Sequence, residues 1–103
     1  MPSGRKRYAV TALAYTKDGR LLSVGKNSYT KTHPLQARLA RKCGRPDSIY
    51  LHAEMAALVK AREPVYKLVV SRYDSAGNEK NSAPCAICRE AIRMFGVKHV
   101  EHT

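Results

Sequence analysis

Four residues in two short stretches have the types and spacing that chemistry needs. They are His52 and Glu54 in LHAEMAALVKA, and Cys85 and Cys88 in SAPCAICREAIRMFG. Cys85 and Cys88 stand three apart at a predicted helix start, so both sulfurs can face one point, and a helix N-terminus favours the thiolate that binds metal. His52 opens another predicted helix and offers a nitrogen. Two thiolates and an imidazole make the ligand number of a catalytic zinc site, whose fourth position stays open to water, whereas structural zinc sites close with four ligands. Glu54 can reach such a water without being a ligand. Zinc lowers the pKa of water towards neutrality, and a carboxylate beside it can accept the proton and deliver it elsewhere. The other candidate ligands are Cys43, His33, His99 and His102. An HAE triplet alone, or a C-x-x-C alone, has redox and plain structural readings; the ordered pair is far more specific.

The elements that must position these residues follow from patterning. RYAVTALAYT (7–16) is rich in strand formers, Lys17-Asp18-Gly19 supplies a turn, and RLLSVGK (20–26) returns, which predicts a hairpin. Thr32 or His33 caps a first helix with Pro34 in its first turn. Leu35, Leu39 and Cys43 form its apolar stripe, widened by Ala40, and Gly44 stops it before an Arg45-Pro46-Asp47 turn. The second helix begins near His52 and runs to Ala61 or Arg62, with Met55, Leu58 and Val59 as its core face. VYKLVVSRY (65–73) reads as a buried central strand, and 74–83 as a polar loop. A third helix spans Cys85 to Phe95 with Ile87, Ala91, Met94 and Phe95 inward, and Val97 to Glu101 gives a last strand. The order β-β-α-α-β-α-β predicts an α/β layered domain whose later strands run parallel through the third helix.

A chain of 103 residues has room for a single domain, with residues 1–6 as a flexible basic N-terminus. Hydrophobic residues, at 44%, are spread throughout and argue against disorder. No apolar run approaches membrane-spanning length and MPSGRKRYAV lacks the apolar stretch of a signal peptide, so a cytoplasmic protein with no membrane partner is expected. In that setting three cysteines point to metal or redox chemistry rather than a disulfide framework, with Cys43 as a small hydrophobe. The net charge of +11 predicts attraction to anions such as nucleotide phosphates or nucleic acid.

HAEMAAL and PCAIC resemble the H-x-E … P-C-x-x-C pattern of the zinc-dependent cytidine/deoxycytidylate deaminase superfamily, in its small members. The likeness extends from about Tyr8 to Val100. It implies a three-layer cytidine-deaminase-like α/β domain with a mixed sheet, one zinc ion held by His52, Cys85 and Cys88, and Glu54 as the catalytic proton carrier. It further implies substrate contacts from Asn27 to the sugar, from the Ala53 backbone N–H to the pyrimidine edge, and from the Ala83 backbone to the exocyclic amine. Gly25-Lys26-Asn27 matches the family's glycine-x-asparagine at the end of the second strand. The chain departs from that pattern by lacking the usual fifth strand, in whose place an open edge or a neighbouring subunit stands; a homo-oligomer is expected.

A free cytosine nucleoside or nucleotide, deoxycytidylate-like, is the expected substrate, with Lys26 and Lys31 suited to a phosphate and Tyr29 to stacking on a base. Single-stranded DNA or RNA, including tRNA adenosine, is the alternative favoured by the charge. Against it, the chain has no Trp and one Phe, and its tyrosines do not cluster. A third possibility is a zinc-stabilised nucleic-acid-binding module without catalysis, for which Glu54 has no use.

Overall fold

The structure, a computed structural model, describes residues 9–28, 31–44, 51–81 and 85–102. The basic N-terminus, Tyr29, the Arg45-Pro46-Asp47 turn, Ala83 and Pro84 lie outside the described residues. Strand β1 (Ala9–Tyr15) turns through Gly19 into β2 (Leu21–Lys26); α1 (Pro34–Lys42) and α2 (Ala53–Lys60) follow. Strand β3 (Lys67–Tyr73), a two-residue β4 (Glu79–Lys80), α3 (Ala86–Met94) and β5 (His99–His102) complete the chain.

β3 is the centre of the sheet. It pairs antiparallel with β1 along its whole length, and β1 in turn pairs antiparallel with β2. Its other edge takes β5 in parallel and β4 antiparallel. The parallel β3–α3–β5 arrangement is the one expected from sequence. β4 was not expected: Arg72 and Tyr73, paired with β1 on one edge, pair with Lys80 and Glu79 on the other, in a small hairpin closed by Asp74, which accepts from the backbone N–H groups of Ala76 and Asn78.

The predicted burial of β3 needs correction. Val65 precedes the strand, and within it only Leu68 and Val70 are buried, so the near-continuous apolar run hides a period of two. Those side chains share a face with Ala12 and Ala14 of β1, and the core forms between that face and Leu39 and Ala40 of α1, Met55 and Leu58 of α2, and Ile87 and Ala91 of α3. On the opposite face Val24 is exposed. In α3, Ile87 and Ala91 face inward as expected, but Met94 and Phe95 are 49% and 38% exposed. The last turn of α3 is left open among the described residues, and Cys88 rather than either of them completes its buried face.

Small residues let α2 lie very close to the sheet. A Cβ on Gly25 would fall 2.2 Å from the Ala53 carbonyl oxygen and 2.4 Å from the Ala57 nitrogen, so β2 has room for no side chain there. Beside that contact the Ser23 hydroxyl donates to the Ala57 carbonyl at 2.6 Å, and Lys60 Nζ donates to the Val24 carbonyl at 3.2 Å. α1 is tied to α3 by Lys42 and Glu90, 2.8 Å apart, and Glu90 also pairs with Arg93.

Candidate active site

The N-terminus of α2 meets that of α3, and each is opened by a residue expected to bind metal. His52 is the N-cap of α2 and Cys85 the N-cap of α3, and neither side chain caps its own helix. They turn towards each other instead. His52 Nδ1 lies 3.2 Å from Cys88 Sγ and 3.5 Å from Cys85 Sγ. With metal–nitrogen and metal–sulfur bonds of about 2.0 and 2.3 Å, a tetrahedral zinc needs its N and S ligands roughly 3.5 Å apart, so the three atoms fit the ion. Among the described residues this is the one group of three His, Cys, Asp or Glu side chains so gathered. The alternatives Cys43, His33, His99 and His102 are not part of this group; His33 Nδ1 caps α1 and His99 packs against Tyr66.

Electrostatics agree with the donor set. The Cys85 thiol is pulled from 9.0 down to about 3, chiefly by the hydrogen bond from Cys88, with a further contribution from His52. Cys88, which provides that proton and is buried, is pushed up. A pair of sulfurs sharing one proton beside an imidazole is what a cation replaces. Two helix N-termini add their positive ends to the same point.

Glu54, in the first turn of α2, is 7% exposed. Burial raises its carboxyl above the usual value, against its own backbone hydrogen bond and the nearby His52, which lower it. It also hydrogen-bonds the Cys88 thiol, so the carboxyl borders the would-be metal position. A buried carboxyl held there is placed to take up and release a proton.

The other expected contacts are more scattered. Ala53 is buried with its carbonyl oxygen against Gly25. Asn27 Oδ1 accepts from the Val10 backbone N–H at 3.0 Å and its own N–H donates to the Val10 carbonyl at 3.2 Å, so it closes the open end of the β1–β2 hairpin. Lys26 and Lys31 line a groove of about 500 Å3 together with Asn27, Ser28, Leu51 and Ala56. Lys60 lines it too and was missed from sequence, although its spacing of four from Ala56 puts it on the same face of α2. No acidic residue lines this groove. Gln36, wholly buried on α1 and bonded to His52, was also missed, because a glutamine in an amphipathic helix reads as surface.

Fold and site together define a zinc-binding domain of the deaminase type. Residues 3–102 match the family described as the cytidine and deoxycytidylate deaminase zinc-binding region, and the chain belongs to that family. Among solved structures it is similar to a mutant cytidine deaminase from Mycobacterium tuberculosis, with a TM-score of 0.51 and 24% sequence identity over 93% of this chain and 68% of the other. That likeness extends to the fold. No curated protein matches.

Proposed function

We propose that this protein is a hydrolytic deaminase that converts the cytosine of a free nucleotide, deoxycytidylate-like, to uracil with release of ammonia. The observation that carries it is the buried carboxyl of Glu54 beside the His52, Cys85 and Cys88 donor set. His52 Nδ1 and the two sulfurs would hold the ion. Zinc, when bound, supplies a water of lowered pKa as the nucleophile. Glu54 accepts the first proton of that water and passes it to ring nitrogen 3 of the base; it then carries the second to the exocyclic amine. The oxygen bonds to carbon 4 as ring nitrogen 3 takes the first proton, and the bond from carbon 4 to the amine breaks as the amine takes the second, so one water is consumed and one ammonia leaves.

The lysine-lined groove supports a phosphorylated substrate. Its lining includes Leu51, the chain neighbour of His52, and Asn27, which the family likeness assigns to the sugar. Ala53 and Ala83 would supply backbone contacts to the base, and Tyr29 a stacking face. A free-nucleotide substrate and thiols that must stay reduced suit the cytoplasm, and the exposed Met94 and Phe95 support a homo-oligomer.

One observation favours a second reading. Lys60 lies about 12 Å along α2 from His52, further than a single 5′-phosphate needs, and the chain carries +11 charges. A base within single-stranded nucleic acid would bring phosphates to that distance. Ammonia release from cytidine, deoxycytidine, CMP, dCMP and a cytosine-containing oligonucleotide separates the two. Conversion of dCMP or CMP is expected; turnover of the oligonucleotide alone, falling steeply with salt, would overturn the free-nucleotide reading. Glu54→Ala should keep zinc and lose turnover, and unchanged turnover would remove Glu54 from the reaction.

A further inference from the structure

We infer that Gln36 is a positioning residue of the metal site, acting through His52. Its side chain is 0% exposed and lies among the apolar residues of α1. Burying an amide is unfavourable unless it is hydrogen-bonded, so a glutamine here needs a partner. Its Oε1 accepts from the His52 backbone N–H at 3.4 Å, across a separation of sixteen residues.

The start of α2 explains why that bond has to come from another helix. A helix usually satisfies its first N–H groups locally: the N-cap side chain reaches forward, and a Glu or Gln at the third position reaches back to the N-cap N–H. Both devices are absent in α2. The N-cap side chain is His52, whose Nδ1 faces the sulfurs instead, and the third position is the buried Met55, which offers no oxygen. Gln36 provides from α1 what the third position would normally provide. The chain just before is held as well: Leu51 N–H donates to the Lys31 carbonyl and Ser28 N–H to the Leu51 carbonyl, both at 2.9 Å. The backbone entering the ligand is therefore fixed on both sides, and Gln36 adds a side-chain contact next to the ring that binds.

The inference rests on His52 being a zinc ligand. Gln36→Met removes the oxygen at similar length and volume, while Gln36→Glu keeps an oxygen in place. Zinc affinity by chelator competition, thermal stability of the zinc-free protein and hydrogen exchange of the His52 amide are measured on all three proteins. Gln36→Met should weaken zinc binding by about 10- to 100-fold, the usual effect of losing a group that orients a ligand, with Gln36→Glu recovering most of the affinity. The His52 amide should exchange slowly in the wild type and faster in Gln36→Met. Wild-type zinc affinity in Gln36→Met, an equal loss in both variants, or rapid His52 exchange in the wild type would each overturn the role. If Gln36→Met does not fold, Gln36→Glu and the wild-type exchange rate decide it. A wild-type protein that binds no zinc refutes the metal site itself, and this role with it.

Discussion

Gly25→Ala tests how tightly the sheet sets the site. The added methyl would stand 2.2 Å from the Ala53 carbonyl oxygen and 2.4 Å from the Ala57 nitrogen. Non-bonded heavy atoms settle at about 3.5 Å, so α2 must retreat by roughly 1 Å, and the obstructing atoms are backbone that cannot swing aside. Overpacking of this kind costs about 1–3 kcal/mol. For a domain of this size that lowers Tm by roughly 5–20 °C. The larger consequence lies at the helix start, because His52 and Glu54 ride on α2 while both sulfurs ride on α3. A misplacement of about 1 Å in catalytic geometry costs around 10²-fold in rate. Thermal denaturation, chelator competition for zinc and ammonia release from the best substrate measure the three consequences. Gly77→Ala is the control: Gly77 has φ 85° in the β3–β4 turn with nothing within 4 Å of its would-be Cβ, so it loses stability through backbone strain without touching α2. Gly25→Ala should lose both stability and turnover, and Gly77→Ala stability alone. Equal turnover per folded molecule in the two variants would refute the claim that this contact sets the site.

Three further outcomes follow. Cys88→Ala should lose zinc, and its Tm should no longer respond to chelator, whereas the wild-type Tm falls when zinc is removed because the ion binds only the folded site. Lys26→Gln and Lys31→Gln should each raise KM for a nucleotide by about 10-fold, the worth of one charge-assisted phosphate contact, and leave KM for the matching nucleoside unchanged; an equal change for both substrates would detach the groove from phosphate binding. Glu90 is held down from 4.5 to about 2, first by its hydrogen bond with Arg93 and then by that with Lys42. Its folded pKa is depressed, so its contribution is present above about 4.5 and lost as pH falls towards 2. The Tm difference between wild type and Glu90→Gln should therefore be constant at neutral pH and close across that acid window; a difference unchanged at pH 2 would refute the ion-pair origin.

What the sequence displayed and what it concealed divide along a physical line. The three donors are legible because each sits at or within one turn of a helix start, and helix starts announce themselves locally through flanking residues and apolar spacing. Glu54 is legible because its distance from His52 is fixed by the same turn. Gln36 was not, since its role depends on a neighbour sixteen residues away and its own helix gives no sign that this face is covered. The exposure of Met94 and Phe95 was hidden for the converse reason: apolar spacing says which face a residue is on, never how far along the helix the cover extends. β3 looked buried on both faces because Val69 and the Lys67 stem, on the side away from the core, satisfy either pattern. Asn27 has a structural part that the motif did not display, because its Oδ1 accepts from the Val10 N–H and closes the hairpin. The same line separates reaction from substrate. The reaction is set by atoms on two helix starts, 3.2–3.5 Å apart, whose residue types admit few other chemistries. The groove proposed for the substrate is assembled from β2, the segment after it, Leu51 and α2. No short stretch of sequence contains that groove, so measuring which of its lysines a phosphate needs is the direct way to separate a nucleotide from a strand.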